Sequence, residues 1–205
     1  MMKSHEIALV ILEALSLKLG LDSRVLPNLH RLKQPSGDQL RLTKSTMYPT
    51  EKGCLPAVAF GAHTDFGSIT ILFNRLGGLQ VLGSNGEWLD IQPLPGHAIV
   101  NLGDAMVKLS GGILKSNIHR IVTISGLKET VDRYSVVYFS RPENNVLMKS
   151  IVNNGTEEQP EDHVLTAQEW VAIRVKNYQT ANYKDESTYE SSRGTEAHRE
   201  TTAYM

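Results

Sequence analysis

From residue 39 onward the chain is divided into short apolar runs separated by turn residues, and this pattern restricts its fold more than any other feature. Asn85-Gly86, placed just before Trp88, is a strong hairpin signal. So many short strands in a short stretch of sequence predict a mainly β protein with flanking helices, folded as a double-stranded β-helix, or jelly roll. The predicted strands lie near residues 40–48, 57–63, 68–73, 79–82, 88–91, 97–102, 106–109, 116–123 and 132–140.

The sequence outside these strands predicts two helices. Residues 5–19 have apolar side chains at helical spacing, and Gly20 suits the end of that helix. Residues 164–178 form the second predicted helix, with Thr166 and Glu169 at the spacing of a capping box. The chain therefore divides into a helix and turn-rich support segment (1–38), a jelly-roll domain (39–142), a carboxy-terminal helical segment (143–182) and a polar tail expected to be disordered (183–205).

Charge and cysteine content narrow the expected partners and compartment. Lys and Arg total 21 and Asp and Glu total 22, so the net charge is -1, and neither nucleic acid nor a membrane surface is expected as a partner. Cys54 is the only cysteine, so no internal disulfide can form. The apolar run 7–12 is far shorter than the ~20 residues that span a bilayer. These features predict a cytoplasmic protein.

Two histidines and one carboxylate form a candidate metal site. His63 and Asp65 follow a predicted strand as an i, i+2 pair, so both side chains point to the same side, about 6.5 Å apart along the backbone. His119 stands in a later strand-like stretch that a β-roll can bring back to this pair. Two imidazoles with one carboxylate suit non-haem Fe(II), and they suit catalytic zinc equally well.

A second i, i+2 pair, Arg133 and Ser135, shares one face of a predicted strand with Phe139. That face carries a guanidinium into an apolar interior, where it needs a partner. Beside a metal site, the carboxylate of a ligand is the favoured partner. The alternative is an ion pair within the protein, to Asp104 or Asp132. Phe139 itself is interpreted as core packing rather than as cavity lining.

Several motifs occur in the order found in one enzyme family. They cover about residues 39–142, and together they are highly specific. The chain resembles the 2-oxoglutarate and Fe(II)-dependent dioxygenases, in the branch that is similar to isopenicillin N synthase, and it resembles fungal members that modify small molecules. The matching stretches are 61–70 (Gly-Ala-His-Thr-Asp-Phe-Gly-Ser-Ile-Thr), 77–82 (Gly-Gly-Leu-Gln-Val-Leu), 100–104 (Val-Asn-Leu-Gly-Asp), 115–120 (Lys-Ser-Asn-Ile-His-Arg) and 133–135 (Arg-Tyr-Ser).

The resemblance implies a ligand set for iron and a binding site for 2-oxoglutarate as co-substrate. It implies that His63, Asp65 and His119 ligate Fe(II). It also implies that Arg133 pairs with the distal carboxylate of 2-oxoglutarate and that Ser135 adds a hydrogen bond. No separate catalytic acid or base is nominated, because the metal and the keto acid carry the chemistry.

One further contact is implied less directly. Tyr48, just before Pro49, matches a tyrosine that touches the same carboxylate in many relatives. Those relatives often have an asparagine two residues before that tyrosine, whereas this chain has Thr46.

The resemblance predicts an oxidoreductase that hydroxylates, desaturates or cyclises a small organic molecule with O2 and 2-oxoglutarate, in secondary metabolism. The alternatives are an Fe(II) oxidase of the isopenicillin N synthase type, which does not consume 2-oxoglutarate, and a truncated jelly roll that binds without turnover. Family members carry a long segment before the point that matches residue 1. We therefore expect the site residues to be present on an incomplete scaffold that exposes apolar surface.

Overall fold

The structure of the protein is a computed structural model that describes residues 1–49, 57–124, 127, 129–152 and 164–178. The tail 183–205, expected to be disordered, lies outside the described residues. The predicted domain limits stay predictions. The α-helices are α1 (Met2–Lys18), α2 (Asp104–Leu109) and α3 (Ala167–Tyr178), and the strands are β1 (Gln39–Met47), β2 (Val58–His63), β3 (Ile69–Asn74), β4 (Leu79–Leu82), β5 (Trp88–Ile91), β6 (Ile99–Leu102), β7 (His119–Val122) and β8 (Val131–Ser140).

The strands form two four-stranded antiparallel sheets. The first sheet has the order β1-β8-β3-β6 and the second has the order β2-β7-β4-β5. Each sheet takes strands from distant parts of the chain, as the jelly roll requires. The predicted mainly β fold is therefore confirmed, and eight of the predicted strands are present in sequence order.

The predicted strand at 106–109 is wrong, because this stretch is the helix α2. Gly103 has an extended backbone and stands at the N-cap, and Asp104 places a carboxylate in the first turn, where the helix dipole favours it. Ala105, Met106 and Leu109 are all fully buried. A mostly apolar run this short has the same pattern in a helix and in a strand, so periodicity could not separate the two.

Helix α1 packs on the rear face of the first sheet, the face turned away from the second sheet. Ala8 and Leu12 join Ile69, Ile71 and Tyr138 in one buried cluster. The helix ends where the sequence predicted, because Gly20 has a φ of 74° and its neighbours close a Schellman motif. The main apolar core therefore lies behind the first sheet rather than between the sheets.

Helix α3 begins at the predicted capping box. The backbone N–H of Thr166 donates to Glu169 Oε2 at 2.9 Å, and the backbone N–H of Glu169 donates to Thr166 Oγ1 at 3.3 Å. Trp170 then packs with Ala105 and Met148 in a second buried cluster. The carboxy-terminal helix is thereby fixed against α2, directly behind the loop that carries Asp65.

Part of the rear face of the first sheet is uncovered. Leu42 is 72% exposed, and Phe73 and Val136 are each 38% exposed. These three apolar side chains therefore form an exposed part of that face. No helix in the described ranges is long and apolar enough to cross a membrane.

Candidate functional site

The three predicted metal ligands meet at one end of the space between the sheets. His63 ends β2 and His119 begins β7, and these two residues are direct cross-strand partners. Asp65 follows two residues later, with Oδ1 at 3.9 Å from His63 Nε2 and 3.8 Å from His119 Nε2. One ligand atom from each residue lies within 4.8 Å of the others, which is close enough for all three to bind a single ion.

Both imidazoles are oriented by backbone carbonyl groups. His63 Nδ1 lies 2.9 Å from the carbonyl oxygen of Gly61, and His119 Nδ1 lies 3.1 Å from that of Asn117. Carbonyl oxygens only accept hydrogen bonds, so each Nδ1 carries a proton and each Nε2 presents its lone pair. Such outer contacts fix the tautomer and ring orientation of metal-binding histidines.

Two side chains hydrogen-bond to the same oxygen of the Asp65 carboxylate. Thr70 Oγ1 and Asn101 Nδ2 both donate to its Oδ2, at 2.6 and 2.7 Å. These bonds direct Oδ1 toward the two imidazoles. Sequence reasoning assigned no role to Thr70 or Asn101, although each is a polar residue inside an apolar strand. The two are cross-strand partners in β3 and β6. A correct prediction that these strands pair would have identified both as neighbours of Asp65.

The charge state of the triad suits a cation. Burial and the neighbouring His119 lower the pKa of His63 to about 4, so this imidazole is neutral at pH 7. Burial by itself would raise the pKa of Asp65, but His119, His63 and the bonds from Asn101 and Thr70 lower it overall, so the carboxylate is ionised. A buried anion beside a neutral imidazole is the state that a divalent metal requires.

The loop that carries Asp65 is fastened to the start of α2. The backbone N–H of Asp104 donates to the Asp65 carbonyl oxygen at 2.8 Å, and that of Ala105 donates to the Gly67 carbonyl oxygen at 3.1 Å. A Cβ on Gly103 would lie 2.3 Å from the Gly67 carbonyl oxygen, so only glycine permits this approach. The segment Asn101-Leu102-Gly103-Asp104 therefore helps to position a ligand.

Asp104 also fastens the segments around the ligands from behind. It is fully buried. Thr64 Oγ1 donates to Oδ2 at 2.8 Å, and Ser116 Oγ donates to Oδ1 at 2.6 Å. Arg174 Nη2, from α3, donates to Oδ2 at 2.7 Å. The Asp104 carboxylate thus connects three parts of the chain: Thr64, which lies between the ligands His63 and Asp65, the segment before His119, and helix α3.

Arg133 lies on the inner face of the first sheet and is 3% exposed. Its Nε donates to the Gly77 carbonyl oxygen at 2.8 Å, and its Nη1 donates to Ser135 Oγ at 2.7 Å. Its Nη2 is buried and has no hydrogen-bond partner among the described residues. Gly78, next to Gly77, has a φ of 90° and lies against the Val122 carbonyl oxygen, where a Cβ would be only 2.6 Å away.

Neither protein carboxylate considered as a partner for Arg133 pairs with it. Asp104 pairs with Arg174, and Asp132 pairs with Lys44 at 2.9 Å. Burial lowers the pKa of Arg133, and no opposite charge among the described residues compensates this effect. The alternative of an internal ion pair is therefore excluded for the described residues.

Tyr48 does not join the site. It is 64% exposed and does not line the cavity. In the pairing of β1 with β8, Ser45 lies opposite Arg133 and Thr43 lies opposite Ser135. The odd-numbered residues of β1 therefore face the cavity, and Tyr48 follows the strand at a position of the other parity. Thr46, also on the outer side, donates to Asp132 Oδ1 at 3.0 Å.

The metal ligands and Arg133 open onto one cavity between the sheets, with a volume of about 540 Å³. Its wall is mostly apolar. Phe139 belongs to this lining, so the interpretation of it as core packing is wrong. The apolar lining residues are Ala59, Phe60, Leu72, Leu79, Val81, Ile91, Ile99, Val100, Leu102, Ile121, Val137 and Phe139.

These residues fit a ferrous ion with a dicarboxylic co-substrate. Three protein ligands on one side of an ion leave its remaining positions open, as in the facial triad of iron oxygenases. Arg133 presents a buried N–H group that has no acceptor among the described residues, and a ligand carboxylate can accept from it. Both requirements are met in the same cavity.

Comparison with known proteins agrees with this site. The model of the 2OG-Fe(II) oxygenase superfamily matches residues 29–142. A 2-oxoglutarate-dependent dioxygenase of Aspergillus fumigatus is 37% identical over 171 residues, which cover 74% of this chain and 44% of the relative. The 2-oxoglutarate-dependent dioxygenase iboH of Amanita muscaria is 40% identical over 145 residues, which cover 69% of this chain and 68% of the relative.

A solved structure shares the fold. The crystal structure of a full-length Neurospora crassa protein, in complex with alpha-KG, matches with a TM-score of 0.72 and 25% identity, over 84% of this chain and 54% of that chain. This chain spans about half the length of most of the first curated relatives that it matches. The family match covers more than half of the sequence and includes every ligand of the triad. The chain therefore belongs to the 2OG-Fe(II) oxygenase superfamily.

Proposed function

We propose that this protein is an Fe(II)-dependent oxygenase that uses O2 and 2-oxoglutarate to hydroxylate, desaturate or cyclise a small organic molecule. His63, Asp65 and His119 hold the ion. Arg133 binds the distal carboxylate of 2-oxoglutarate, and Ser135 supports it. When bound, the iron and the keto acid supply the oxidative chemistry, in which 2-oxoglutarate is converted to succinate and carbon dioxide.

The chain's own residues bind, orient and exclude water. Thr70 and Asn101 keep Asp65 Oδ1 directed at the ion, because both of their bonds engage the other oxygen. The carbonyl groups of Gly61 and Asn117 keep the two imidazoles in the binding tautomer. The apolar walls limit the access of water to the reacting atoms.

The observation that carries the proposal is the presence, in one cavity, of a triad with converging ligand atoms and a buried arginine that has no counter-charge among the described residues. The names of the relatives, 2-oxoglutarate-dependent dioxygenases, support the choice of co-substrate. A role in secondary metabolism and a cytoplasmic location are part of the same proposal. The latter rests on the absence of any possible internal disulfide in a chain with one cysteine.

The test is release of labelled carbon dioxide from 1-labelled 2-oxoglutarate by purified protein. We expect release that requires both Fe(II) and O2, and we expect the substitution His119→Ala to abolish it. The matched control is His97→Ala, because His97 is exposed and lies outside the cavity.

Two other outcomes would replace the proposal. Oxygen consumption at a bound iron without any carbon dioxide release would identify an oxidase of the isopenicillin N synthase type. Iron binding with neither oxygen uptake nor carbon dioxide release would identify a binding protein without turnover.

A further inference from the structure

The charged residues that line the cavity are not balanced. Three cationic side chains, Arg41, Lys115 and Arg133, line it, whereas Asp65 is the one carboxylate among the described lining residues. Arg133 is buried, but Arg41 and Lys115 are exposed. The cavity therefore has one cation in its interior and two cations at its rim.

Arg41 lines the cavity and has no counter-charge in the part of the chain that the structure describes. It lies on β1 opposite Val137 of β8. Its guanidinium carbon stands 5.1 Å from the centre of the Phe139 ring, which itself lines the cavity. Its one hydrogen bond among the described residues is to the neutral side chain of Gln39, at 3.4 Å. No described carboxylate pairs with it.

Lys115 approaches the cavity from the other wall. It precedes β7 of the second sheet, whereas Arg41 belongs to the first sheet. No hydrogen bond or ion pair engages its ammonium group among the described residues. Exposed lysines often extend into solvent, but this one shares a cavity wall with His119, a metal ligand.

The charges of the co-substrate do not balance these two rim cations. In the β1–β8 register, Arg41 is opposite Val137 and Arg133 is opposite Ser45. Four residues of strand separate the two arginines, which is about 13 Å along the sheet. If the proposed function holds, the distal carboxylate of 2-oxoglutarate pairs with Arg133. Its proximal carboxylate and Asp65 together balance the two positive charges of Fe(II). Arg41 and Lys115 then remain unbalanced.

We propose that the substrate is an ionised organic acid with an apolar body, and that Arg41 and Lys115 bind its carboxylate at the rim while the apolar walls enclose its body. This inference rests on the proposed function and specifies the substrate class of the same site. Arg41 is suited to a bidentate contact and Lys115 to a point contact from the opposite wall. The body of the acid would lie against Phe139 and Leu72, facing the metal.

The experiment measures whether the protein prefers acids to neutral molecules of the same shape. Protein loaded with Fe(II) and saturating 2-oxoglutarate is kept without oxygen, so that Arg133 is occupied and no turnover takes place. It is titrated at low salt with matched acid and amide pairs, from hexanoate and hexanamide to 3-phenylpropionate and 3-phenylpropionamide. We expect at least one acid to bind about tenfold more tightly than its amide. A single favourable charge contact with the rim cations is enough to change the dissociation constant by about that factor.

The double variant Arg41→Gln, Lys115→Gln should reduce this acid preference to about twofold or less. The matched control is Lys108→Gln, because Lys108 is an exposed lysine that does not line the cavity, and it should keep the wild-type preference. The inference is overturned if no acid binds more tightly than its amide in the wild-type protein, or if the double variant keeps the preference. Binding of 2-oxoglutarate itself is measured separately, and its failure would count against the proposed function instead.

Discussion

Two buried arginines, Arg133 and Arg174, differ in what balances their charge. Both are at most 9% exposed. Arg174, behind the Asp65 loop, pairs with the carboxylate of Asp104 at 2.7 Å. Arg133, on the inner face of the first sheet, has a carbonyl group and a hydroxyl group as partners, and its Nη2 has none among the described residues.

The difference separates a structural charge from a functional one. An arginine with a buried counter-charge belongs to the scaffold, because removing either partner leaves the other uncompensated. An arginine without a counter-charge is costly to the folded protein unless something outside the chain supplies the charge. Arg174 therefore stabilises the rear of the site, and Arg133 is placed to bind a ligand.

The largest expected effect comes from exchanging each arginine for an apolar residue of similar length. Arg174→Met should lower the free energy of unfolding by about 3–5 kcal/mol, because it leaves the fully buried Asp104 without its cation. Arg133→Met should stay within about 1 kcal/mol of the parent, because the lost hydrogen bonds offset the removal of an uncompensated charge. Urea denaturation of the protein without metal or 2-oxoglutarate measures both.

A double variant serves as the control for this contrast. Adding Asp104→Asn to Arg174→Met removes the uncompensated charge of the buried carboxylate, so part of the lost stability should return. Equal destabilisation by Arg133→Met and Arg174→Met would contradict the distinction between the two arginines.

The second expected effect is a loss of stability at acidic pH. Two buried histidines contribute to it, one behind the first sheet and one in the metal site. Burial lowers the pKa of His30, behind the first sheet, to about 4, and burial with the neighbouring His119 lowers that of His63 to about 4. The unfolded chain therefore binds more protons between about pH 4 and 6.5, so stability falls as the pH falls through this window.

Each of these histidines should contribute about 3 kcal/mol over that window. In urea denaturation from pH 7 to pH 4.5, His30→Gln should reduce the dependence on pH. It should do so equally with and without a bound divalent metal, because His30 contacts Leu26 and Ser68 rather than the triad. A pH profile of the variant that is unchanged from the wild type would show that His30 does not carry this effect.

A smaller effect should follow from weakening the hydrogen bonds that hold the metal ligand Asp65. Thr70→Val removes one of the two donors to Asp65 Oδ2, and loss of such an outer contact weakens metal binding about 10- to 100-fold. The matched control is Thr46→Val, because Thr46 also donates from a strand to an aspartate but lies outside the cavity. Competition with a chelator of known affinity measures both, and equal metal affinities in the two variants would contradict the role of Thr70.

The residues that the sequence predicted well are those whose spacing along the chain decides their direction. His63 and Asp65, like Arg133 and Ser135, are i, i+2 pairs, and the alternation of a strand places each pair on one side. The return of His119 to His63 followed from expecting a β-roll, and the register of β2 with β7 confirms that the two meet. Direction within a strand is a local property, so local sequence sufficed.

The features that escaped prediction depend on pairings between distant segments. Thr70 and Asn101 hold Asp65 only because β3 lies beside β6. Phe139 lines a cavity rather than a core because the apolar core lies behind the first sheet. The stretch 106–109 belongs to a helix whose first turn is held by hydrogen bonds from the backbone N–H groups of Asp104 and Ala105 to the distant loop that carries Asp65. Tyr48 follows a motif of the family, yet the parity of β1 turns it away from the cavity.

The central claim is that Arg133, which has no counter-charge among the described residues, binds a carboxylate of 2-oxoglutarate beside the metal. The most direct test titrates 2-oxoglutarate into Fe(II)-loaded protein without oxygen, for the wild type, Arg133→Met and Arg174→Met, at a temperature where all three are folded. We expect the wild type and Arg174→Met to bind one 2-oxoglutarate per iron, and Arg133→Met to bind it about 100-fold more weakly. Wild-type affinity in Arg133→Met would contradict the claim.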